Sequence, residues 1–425
     1  MERVIVGLFL ALFAVEFLIE FVLNELNLRY VRARWAEKKI PDFFQHKMSA
    51  AEYEKSVDYT RAKGQFQRWA EIYSRSVLLM IVFGGLLPFM DRLAQDLTER
   101  FFPVTHGRGL IFCFGVGLVL FVTSLPADLY STFRLEARFG FNQMTWKLYL
   151  SDKVKGIVLA ILIGLPLLWI VLWLMEATGS YWWIWTFFFI SGFQLIMVIV
   201  YPTIIAPLFN KFEPLPEGEL RNQILLLADK VGFKTNGIFS MDGSKRSSHS
   251  NAYFTGIGKA KRIVLFDTLI EQMTVNQGVA VLAHEMGHYK RKHIRSMLVV
   301  QTAFLFLGLY CLSLLVSYRP FFTAFGLDNP SNYAALVLFS LLSGPFVFFL
   351  GPLINALSRK HEYEADRFAV ETLRNGEPME EALVNLTVKN LSNLTPHPWY
   401  SAYHYSHPTP TERISAIRAI SVQPA

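Results

Sequence analysis

Seven stretches of the chain are apolar over lengths that reach or approach the thickness of a lipid bilayer. They run over residues 4–26, 72–90, 109–128, 156–175, 181–205, 297–317 and 333–355. A hydrocarbon core about 30 Å thick needs an α-helix of about 20 residues, and only helices or closed barrels satisfy their backbone hydrogen bonds inside it. The 52% hydrophobic and 18% charged content agrees with this. The sequence therefore predicts an α-helical multipass membrane protein with seven transmembrane helices.

Basic residues are distributed unevenly among the loops. The first loop and its edges carry eleven: Arg29, Arg32, Arg34, Lys38, Lys39, Lys47, Lys55, Arg61, Lys63, Arg68 and Arg75. The short loop at 177–180 has none. The positive-inside rule then places the odd-numbered loops and the C-terminus in the cytoplasm. We interpret the net charge of +7 as an orientation signal, so the expected partner is the lipid bilayer and no nucleic acid. A bacterial inner membrane and an endoplasmic reticulum membrane both remain open.

The predicted spans divide the chain into four segments. Residues 1–205 hold helices 1–5 and the basic loops, 206–296 form a soluble segment, 297–355 hold helices 6 and 7, and 356–425 follow the last span. Within the soluble segment, residues 220–231 have the spacing of an amphipathic helix. Residues 251–256 and 261–266 are predicted as the two strands of a small hairpin around 257–260. Its free edge could bind an extended peptide through main-chain hydrogen bonds, or the hairpin could be purely structural.

The soluble segment ends with His284-Glu285-Met286-Gly287-His288, an H-E-x-x-H motif. Histidines four apart on a helix share one face, so both imidazoles can reach one Zn²⁺ ion. Glu285 is then placed to take a proton from a metal-bound water. Thr274 and Gln277 form a capping-box pattern that starts the helix upstream. The alternative is an amphipathic helix with two surface histidines.

A catalytic zinc site needs a third protein ligand, and the candidates follow the seventh span. Glu362 and Asp366 are four residues apart and share a helix face, whereas Glu364 points elsewhere. Glu362 could be the ligand, and Asp366 could orient a ligand imidazole from behind. A solvated, charged helix face is the alternative interpretation of the same spacing.

Several motifs together resemble the integral-membrane CAAX prenyl endopeptidases, a branch of the gluzincin zinc metallopeptidases. They are Phe139–Gln143, Ser247–Phe254, Lys261–Leu269, the H-E-x-x-H motif, Ser358–Asp366, Ser406–Pro408 and Glu412–Ile414. The resemblance implies a barrel of seven long helices around a water-filled chamber, with a zinc-peptidase domain facing the cytoplasm. It also implies removal of the C-terminal tripeptide from isoprenylated CAAX proteins.

The same resemblance assigns roles to individual residues. It implies one Zn²⁺ per chain held by His284, His288 and Glu362, with Glu285 as general base and Asp366 behind the ligands. His407 and Arg413 match the family's C-terminal pair near the cleaved bond, where a donor would stabilise an oxyanion. Asn251, Ala252, Tyr253 and Phe254 match the substrate-binding edge strand.

Two alternatives to this function remain at the level of sequence. The first keeps the zinc chemistry but serves membrane-protein quality control on substrates without a prenyl group. The second is a receptor or transporter in which the H-E-x-x-H motif is accidental. The physiological substrate and the oligomeric state are not indicated by the sequence.

Overall fold

Long helices dominate the chain, as the apolar segments predict. The computed structural model describes residues 1–101, 103–255 and 262–421. The α-helices are α1 Glu2–Ala36, α2 Ala50–Phe83, α3 Leu86–Phe101, α4 Gly107–Tyr130, α5 Ala137–Phe139, α6 Trp146–Leu159, α7 Leu165–Ala177, α8 Trp182–Val200, α9 Ala206–Phe209, α10 Glu219–Lys230, α11 Asp267–Gln272, α12 Val275–Lys290, α13 His293–Leu315, α14 Arg319–Thr323, α15 Asn332–Leu342, α16 Gly344–Phe348, α17 Gly351–Leu373, α18 Glu377–Lys389, α19 Pro398–His404 and α20 Pro410–Ser421. Short π-helical segments at Ser131–Glu136, Ala160–Gly164 and Tyr201–Ile205 join α4 to α5, α6 to α7 and α8 to α9.

Five helices in the described part of the chain are long and apolar enough to cross a membrane. They are α1, Gly107–Phe139, Trp146–Ala177, Gly179–Phe209 and α13. Helices α2 and α3 pass the same test as a pair, and the pair is bent by 59°. The bend falls at Gly84 and Gly85, and Gly85 has a φ of +78°, a conformation that favours glycine. If the bent pair counts as one span, the number rises to six.

The seventh predicted span, 333–355, is not one continuous helix. The structure divides it into α15, α16 and the start of α17. Pro345 and Pro352 stand at the second positions of α16 and α17. A proline lacks an N–H and disfavours helical backbone in the residue before it, so each one ends the preceding helix. The prediction of seven uninterrupted transmembrane helices is therefore not confirmed.

A four-stranded sheet lies in the segment before the H-E-x-x-H helix. Its strands are β1 Phe212–Pro214, β2 Ile238–Met241, β3 Ala252–Thr255 and β4 Arg262–Phe266, in the order β1-β2-β4-β3. Strand β3 pairs antiparallel with β4 and occupies one end of the sheet. The predicted pairing of these two strands is confirmed, and the turn predicted at 257–260 lies outside the described residues. The sequence did not predict β1 and β2, because both are too short to show a clear alternation.

Helix α12 packs between the sheet and α17. Leu282 and Met286 on α12 are fully buried beside Ile263 and Leu265 of β4 and Ala369 of α17. Gly287 faces α17 so closely that a Cβ atom there would lie 3.0 Å from the Cα of Ala365. The missing side chain therefore allows the two helices to approach each other, and this contact brings α17 residues next to the histidines of α12.

Candidate metal centre

The two histidines of the H-E-x-x-H motif converge on one point. Helix α12 begins with a complete capping box, in which the hydroxyl of Thr274 accepts from the Gln277 N–H and the Gln277 side chain accepts from the Thr274 N–H. The predicted helix start is thereby confirmed. One helical turn separates His284 from His288, and their Nε2 atoms lie 3.1 Å apart.

Glu362 of α17 completes a group of three possible ligands. Its Oε2 atom lies 3.4 Å from Nε2 of His284, and its Oε1 atom lies 3.3 Å from Nε2 of His288. Ligand atoms placed about 2.0–2.2 Å from one tetrahedral zinc ion are separated by about 3.3–3.6 Å. In the part of the chain that the structure describes, these three side chains form the group that could hold a metal ion.

Glu362 also leaves a buried polar atom without a partner. Its Oε2 atom is buried and accepts no hydrogen bond among the described residues, although Nη1 of Arg413 approaches it to 3.4 Å. A buried carboxylate oxygen without a partner is costly unless a cation compensates it. Two imidazole nitrogens and one carboxylate are also the donor set of catalytic zinc sites. The residues present therefore fit a zinc ion.

Asp366 and Arg413 form a buried ion pair behind His284. Oδ1 of Asp366 lies 2.7 Å from Nδ1 of His284. The guanidinium of Arg413 donates to both carboxylate oxygens of Asp366, at 2.8 Å from Nε and 2.6 Å from Nη2. Burial alone would raise the pKa of Asp366, but the charge and hydrogen bonds of Arg413 and His284 outweigh it and lower that pKa. Asp366 is therefore a charged acceptor that can orient His284.

His407 and Arg413, matched to one family pair, occupy different environments. The His407 side chain is 62% exposed, and its Nε2 atom lies 3.3 Å from Oε1 of Glu362. Arg413 is buried, and its Nη1 atom lies 3.4 Å from Oε2 of Glu362. His407 thus stands at the open side of the centre, whereas Arg413 is engaged with carboxylates on the closed side.

A cavity of about 410 Å³ opens beside the histidines. Glu285 and His288 line it together with Tyr253 and Phe254 of β3, and both apolar and polar side chains of α13 and α17 contribute to the lining. Burial raises the pKa of Glu285, while the imidazoles of His284 and His288 oppose that rise.

The four residues predicted to bind substrate are divided between two environments. Tyr253 and Phe254 line the cavity, Ala252 is buried in the sheet core, and Asn251 is exposed. Only two of the four side chains therefore reach the candidate site, although the main chain of β3 runs along the end of the sheet.

Sequence reasoning missed a second group of residues at this centre. Nδ1 of His293 lies 2.9 Å from Nδ1 of His288, and Nε2 of His293 lies 3.0 Å from Oε2 of Glu364. His361 stacks on the ring of His293 with the ring centroids 4.1 Å apart. The one available signal was a third histidine five residues after His288.

This membrane-embedded helical fold, with an H-E-x-x-H helix and a glutamate from a second helix, defines an integral-membrane metallopeptidase. A family model described as the CAAX prenyl protease N-terminal, five membrane helices, matches residues 30–211, and the model of peptidase family M48 matches residues 214–421. The chain belongs to peptidase family M48. It is therefore a multipass integral-membrane zinc metalloprotease, and the receptor or transporter interpretation is not supported.

Similar proteins cover nearly the whole chain. CAAX prenyl protease 1 of Saccharomyces cerevisiae is 35% identical over 91% of this chain and 90% of its own length. The CAAX prenyl protease 1 homologue of Arabidopsis thaliana is 39% identical over 87% of this chain and 88% of its own, and that of Homo sapiens is 33% identical over 88% and 87%. The crystal structure of S. mikatae Ste24p superposes with a TM-score of 0.88 at 34% identity, over 96% of this chain and 97% of that chain.

Proposed function

We propose that this chain removes the C-terminal tripeptide from isoprenylated CAAX proteins, at one zinc site per chain that faces the cytoplasm. The names of its relatives support the choice of substrate. The observation that carries the proposal is the convergence of His284, His288 and Glu362 beside a cavity that also holds Glu285. This arrangement has the parts needed for metal-assisted peptide hydrolysis.

His284, His288 and Glu362 would hold the ion, and zinc when bound supplies a Lewis acid that activates water toward a peptide carbonyl. Glu285 lines the cavity next to His288, so its carboxylate can accept the proton of the attacking water. The same carboxyl group then donates that proton to the leaving amine nitrogen of the tripeptide. One residue thus serves as base and acid in turn.

His407 and Arg413 contribute differently to this reaction. The exposed imidazole of His407 can donate a hydrogen bond to the carbonyl oxygen of the scissile bond as negative charge develops there. The buried guanidinium of Arg413 holds the carboxylates of Asp366 and Glu362 in place. We therefore assign stabilisation of the oxyanion to His407 and a positioning role to Arg413.

The end strand of the sheet supports binding of an extended peptide. Strand β3 pairs with β4 on one side and ends the sheet on the other, so its outer edge can add a strand through main-chain hydrogen bonds. Tyr253 and Phe254 of this strand line the cavity, where Ile294 and Met297 add apolar surface. Such a cavity fits an aliphatic side chain of the tripeptide.

We further propose that the chain crosses the membrane seven times around an interior that contains polar groups. The broken segment α15, α16 and the start of α17 would supply the seventh crossing. Glu16 of α1 pairs with Arg75 of α2 at 3.1 Å, and His404 lies 3.3 Å from Glu20. Ionisable groups at this depth face a bundle interior or a water-filled cavity, which supports the chamber.

Mass spectrometry of the products tests the proposed activity. Purified protein is incubated with a farnesylated CAAX peptide, with the same peptide lacking the farnesyl group, and with each in the presence of a chelator. We expect loss of the tripeptide from the farnesylated peptide alone, and no cleavage after chelation. Equal cleavage of the unmodified peptide, or of an unmodified misfolded membrane protein, would favour the quality-control function.

Accessibility of introduced cysteines tests the orientation. After Cys113 and Cys311 are replaced by serine, a single cysteine is placed at exposed Lys47 or, as the matched position, in the loop at Ser180. In vesicles with the cytoplasmic face outward, a membrane-impermeant maleimide should label position 47 and not position 180. The reverse pattern would contradict the cytoplasm-facing site.

A further inference from the structure

His293 lies directly behind His288 and is not one of the proposed ligands. It starts α13, where its side chain is buried, with 4% of the residue exposed. Its Nδ1 atom lies 2.9 Å from Nδ1 of His288, and its Nε2 atom lies 3.0 Å from Oε2 of Glu364. The three groups form a continuous chain that begins on the side of His288 turned away from Glu362.

The chemistry of imidazole fixes the direction of these hydrogen bonds. If His288 binds the metal through Nε2, that nitrogen carries no proton, and the neutral ring must carry its proton on Nδ1. Nδ1 of His288 then donates to Nδ1 of His293, which has to be the unprotonated nitrogen of that ring. His293 therefore carries its own proton on Nε2 and donates it to the carboxylate of Glu364, which only accepts. Every donor in the chain meets an acceptor.

His361 restricts the ring of His293 to one plane. The two rings are stacked with centroids 4.1 Å apart and an angle of 12° between them. His361 is buried and precedes the proposed ligand Glu362 in α17. The same helix therefore supplies a ligand, the residue that stacks on His293, and the carboxylate that accepts from it.

His288 would otherwise lack the support that His284 has. The Asp366 carboxylate contacts Nδ1 of His284 directly at 2.7 Å. A carboxylate behind a ligand imidazole fixes its tautomer and orientation and makes it a stronger donor to the metal. On the His288 side a carboxylate is also present, but His293 stands between it and the ligand.

We propose that His293 and Glu364 are positioning residues that fix the tautomer and orientation of His288, as Asp366 does directly for His284. This inference rests on the proposed zinc site. It predicts that the two residues act in series, because Glu364 reaches His288 only through His293.

Zinc affinity tests the proposal independently of turnover. We expect His293→Phe, which keeps a ring but has no acceptor, to weaken zinc binding about 10–100-fold in a chelator competition. His293→Asn should lose less zinc affinity than His293→Phe, because its amide oxygen can occupy the place of Nδ1 and still accept a hydrogen bond from His288. Glu364→Gln should also lose less zinc affinity than His293→Phe. In Co²⁺-substituted protein, the visible absorption bands should shift in His293→Phe, since the orientation of a ligand changes.

A double variant of His293 and Glu364 distinguishes two residues that act in series from two residues that affect zinc binding independently. His293→Phe with Glu364→Gln should bind zinc no more weakly than His293→Phe alone, because the second change acts through a link that is already broken. Additive losses would overturn the proposal. The matched controls are His46→Phe and Glu371→Gln, both at exposed positions, the second on α17 nine residues after Glu362, and neither should change zinc affinity.

The outcomes for this inference and for the proposed function are distinguishable. Wild-type zinc affinity and an unchanged Co²⁺ spectrum in His293→Phe would overturn the positioning role, while hydrolysis by the unaltered protein would leave the proposed function intact. Unaltered protein that binds no zinc would overturn the proposed function and this inference together. If His293→Phe does not fold, His293→Asn with and without Glu364→Gln decides. Asparagine does not link His288 to Glu364, so adding Glu364→Gln should change zinc affinity no further, and an additional loss contradicts the series.

Discussion

The carboxylate of Asp366 lies 2.7 Å from Nδ1 of His284 and simultaneously binds the guanidinium of Arg413 through both of its oxygens. This one side chain therefore links the H-E-x-x-H helix to α20 across α17. It leaves Nε2 of His284 free to face His288 and Glu362. The tautomer of the first proposed ligand is thus set by a residue outside the proposed ligand set.

Replacing Asp366 by alanine should weaken both zinc binding and folding. The loss of the partner of His284 should lower zinc affinity about 10–100-fold. Arg413 would remain buried without its bidentate partner, and breaking a buried pair in this way costs about 3–5 kcal/mol. Chelator competition and thermal unfolding in detergent check the two effects. The exposed Asp229→Ala should change neither, and an unchanged zinc affinity in Asp366→Ala would contradict the orienting role.

Glu285→Gln should bind zinc as the unaltered protein does and lose turnover. An amide has nearly the shape of a carboxylate but cannot take a proton from water, so kcat should fall by about 10²–10⁴. Zinc content and hydrolysis of a farnesylated CAAX peptide are measured on the same preparation. A variant with full activity would show that another group is the base.

Gly287→Ala should disturb the centre without touching a ligand. The added Cβ would stand 3.0 Å from the Cα and 3.1 Å from the carbonyl oxygen of Ala365, and neither backbone atom can rotate away. The helices carrying the histidines and Glu362 must then separate, at a cost of about 1–3 kcal/mol. We expect a lower unfolding temperature and weaker zinc binding. Gly156→Ala is the control, because a Cβ there meets no atom within 4 Å.

The sequence predicts the α12 half of the centre better than the α17 half, for a physical reason. His284 and His288 are coupled by one turn of one helix, so their spacing alone brings them together. Glu362 lies beyond two predicted spans, and only the family resemblance pointed to it ahead of a solvated helix face. What places it is the close contact at Gly287, a tertiary feature that local periodicity does not contain. The same limit applies to His293, whose partner Glu364 comes from α17.

The membrane part shows a similar division. The apolar runs 4–26 and 297–317 fall on α1 and α13, because every residue of such a run contributes the same signal, although α1 continues to Ala36, ten residues beyond the predicted end. The segment 333–355 has suitable hydropathy, but the prolines at 345 and 352 divide it into separate helices. Hydropathy averaged over a window does not register those two breaks.

His407→Ala and Arg413→Ala should lower different properties of the protein, the first turnover and the second zinc affinity and stability. His407 is exposed at the open side of the centre, so its loss should lower kcat while zinc affinity and unfolding temperature stay near wild type. Arg413 is buried against two carboxylates, so its loss should reduce zinc affinity and stability. Steady-state kinetics, chelator competition and thermal unfolding on both variants give the comparison. Equal loss of zinc from both would contradict the separate roles.

Removal of zinc should lower the unfolding temperature of the protein. Glu362 carries a buried oxygen that accepts no hydrogen bond in the described part of the chain, and it forms a three-residue group with His284 and His288 of α12. An ion that binds only the folded state stabilises it by about 2.7 kcal/mol at a free concentration 100 times its Kd. Chelator should therefore shift the thermal transition downward, and added Zn²⁺ should restore it. Glu362→Gln should be insensitive to both treatments, because the charged ligand is gone. If neither chelator nor added Zn²⁺ changes the unfolding temperature of the unaltered protein, the ion makes no contribution to stability. If chelator still lowers the unfolding temperature of Glu362→Gln, the ion is bound by other residues.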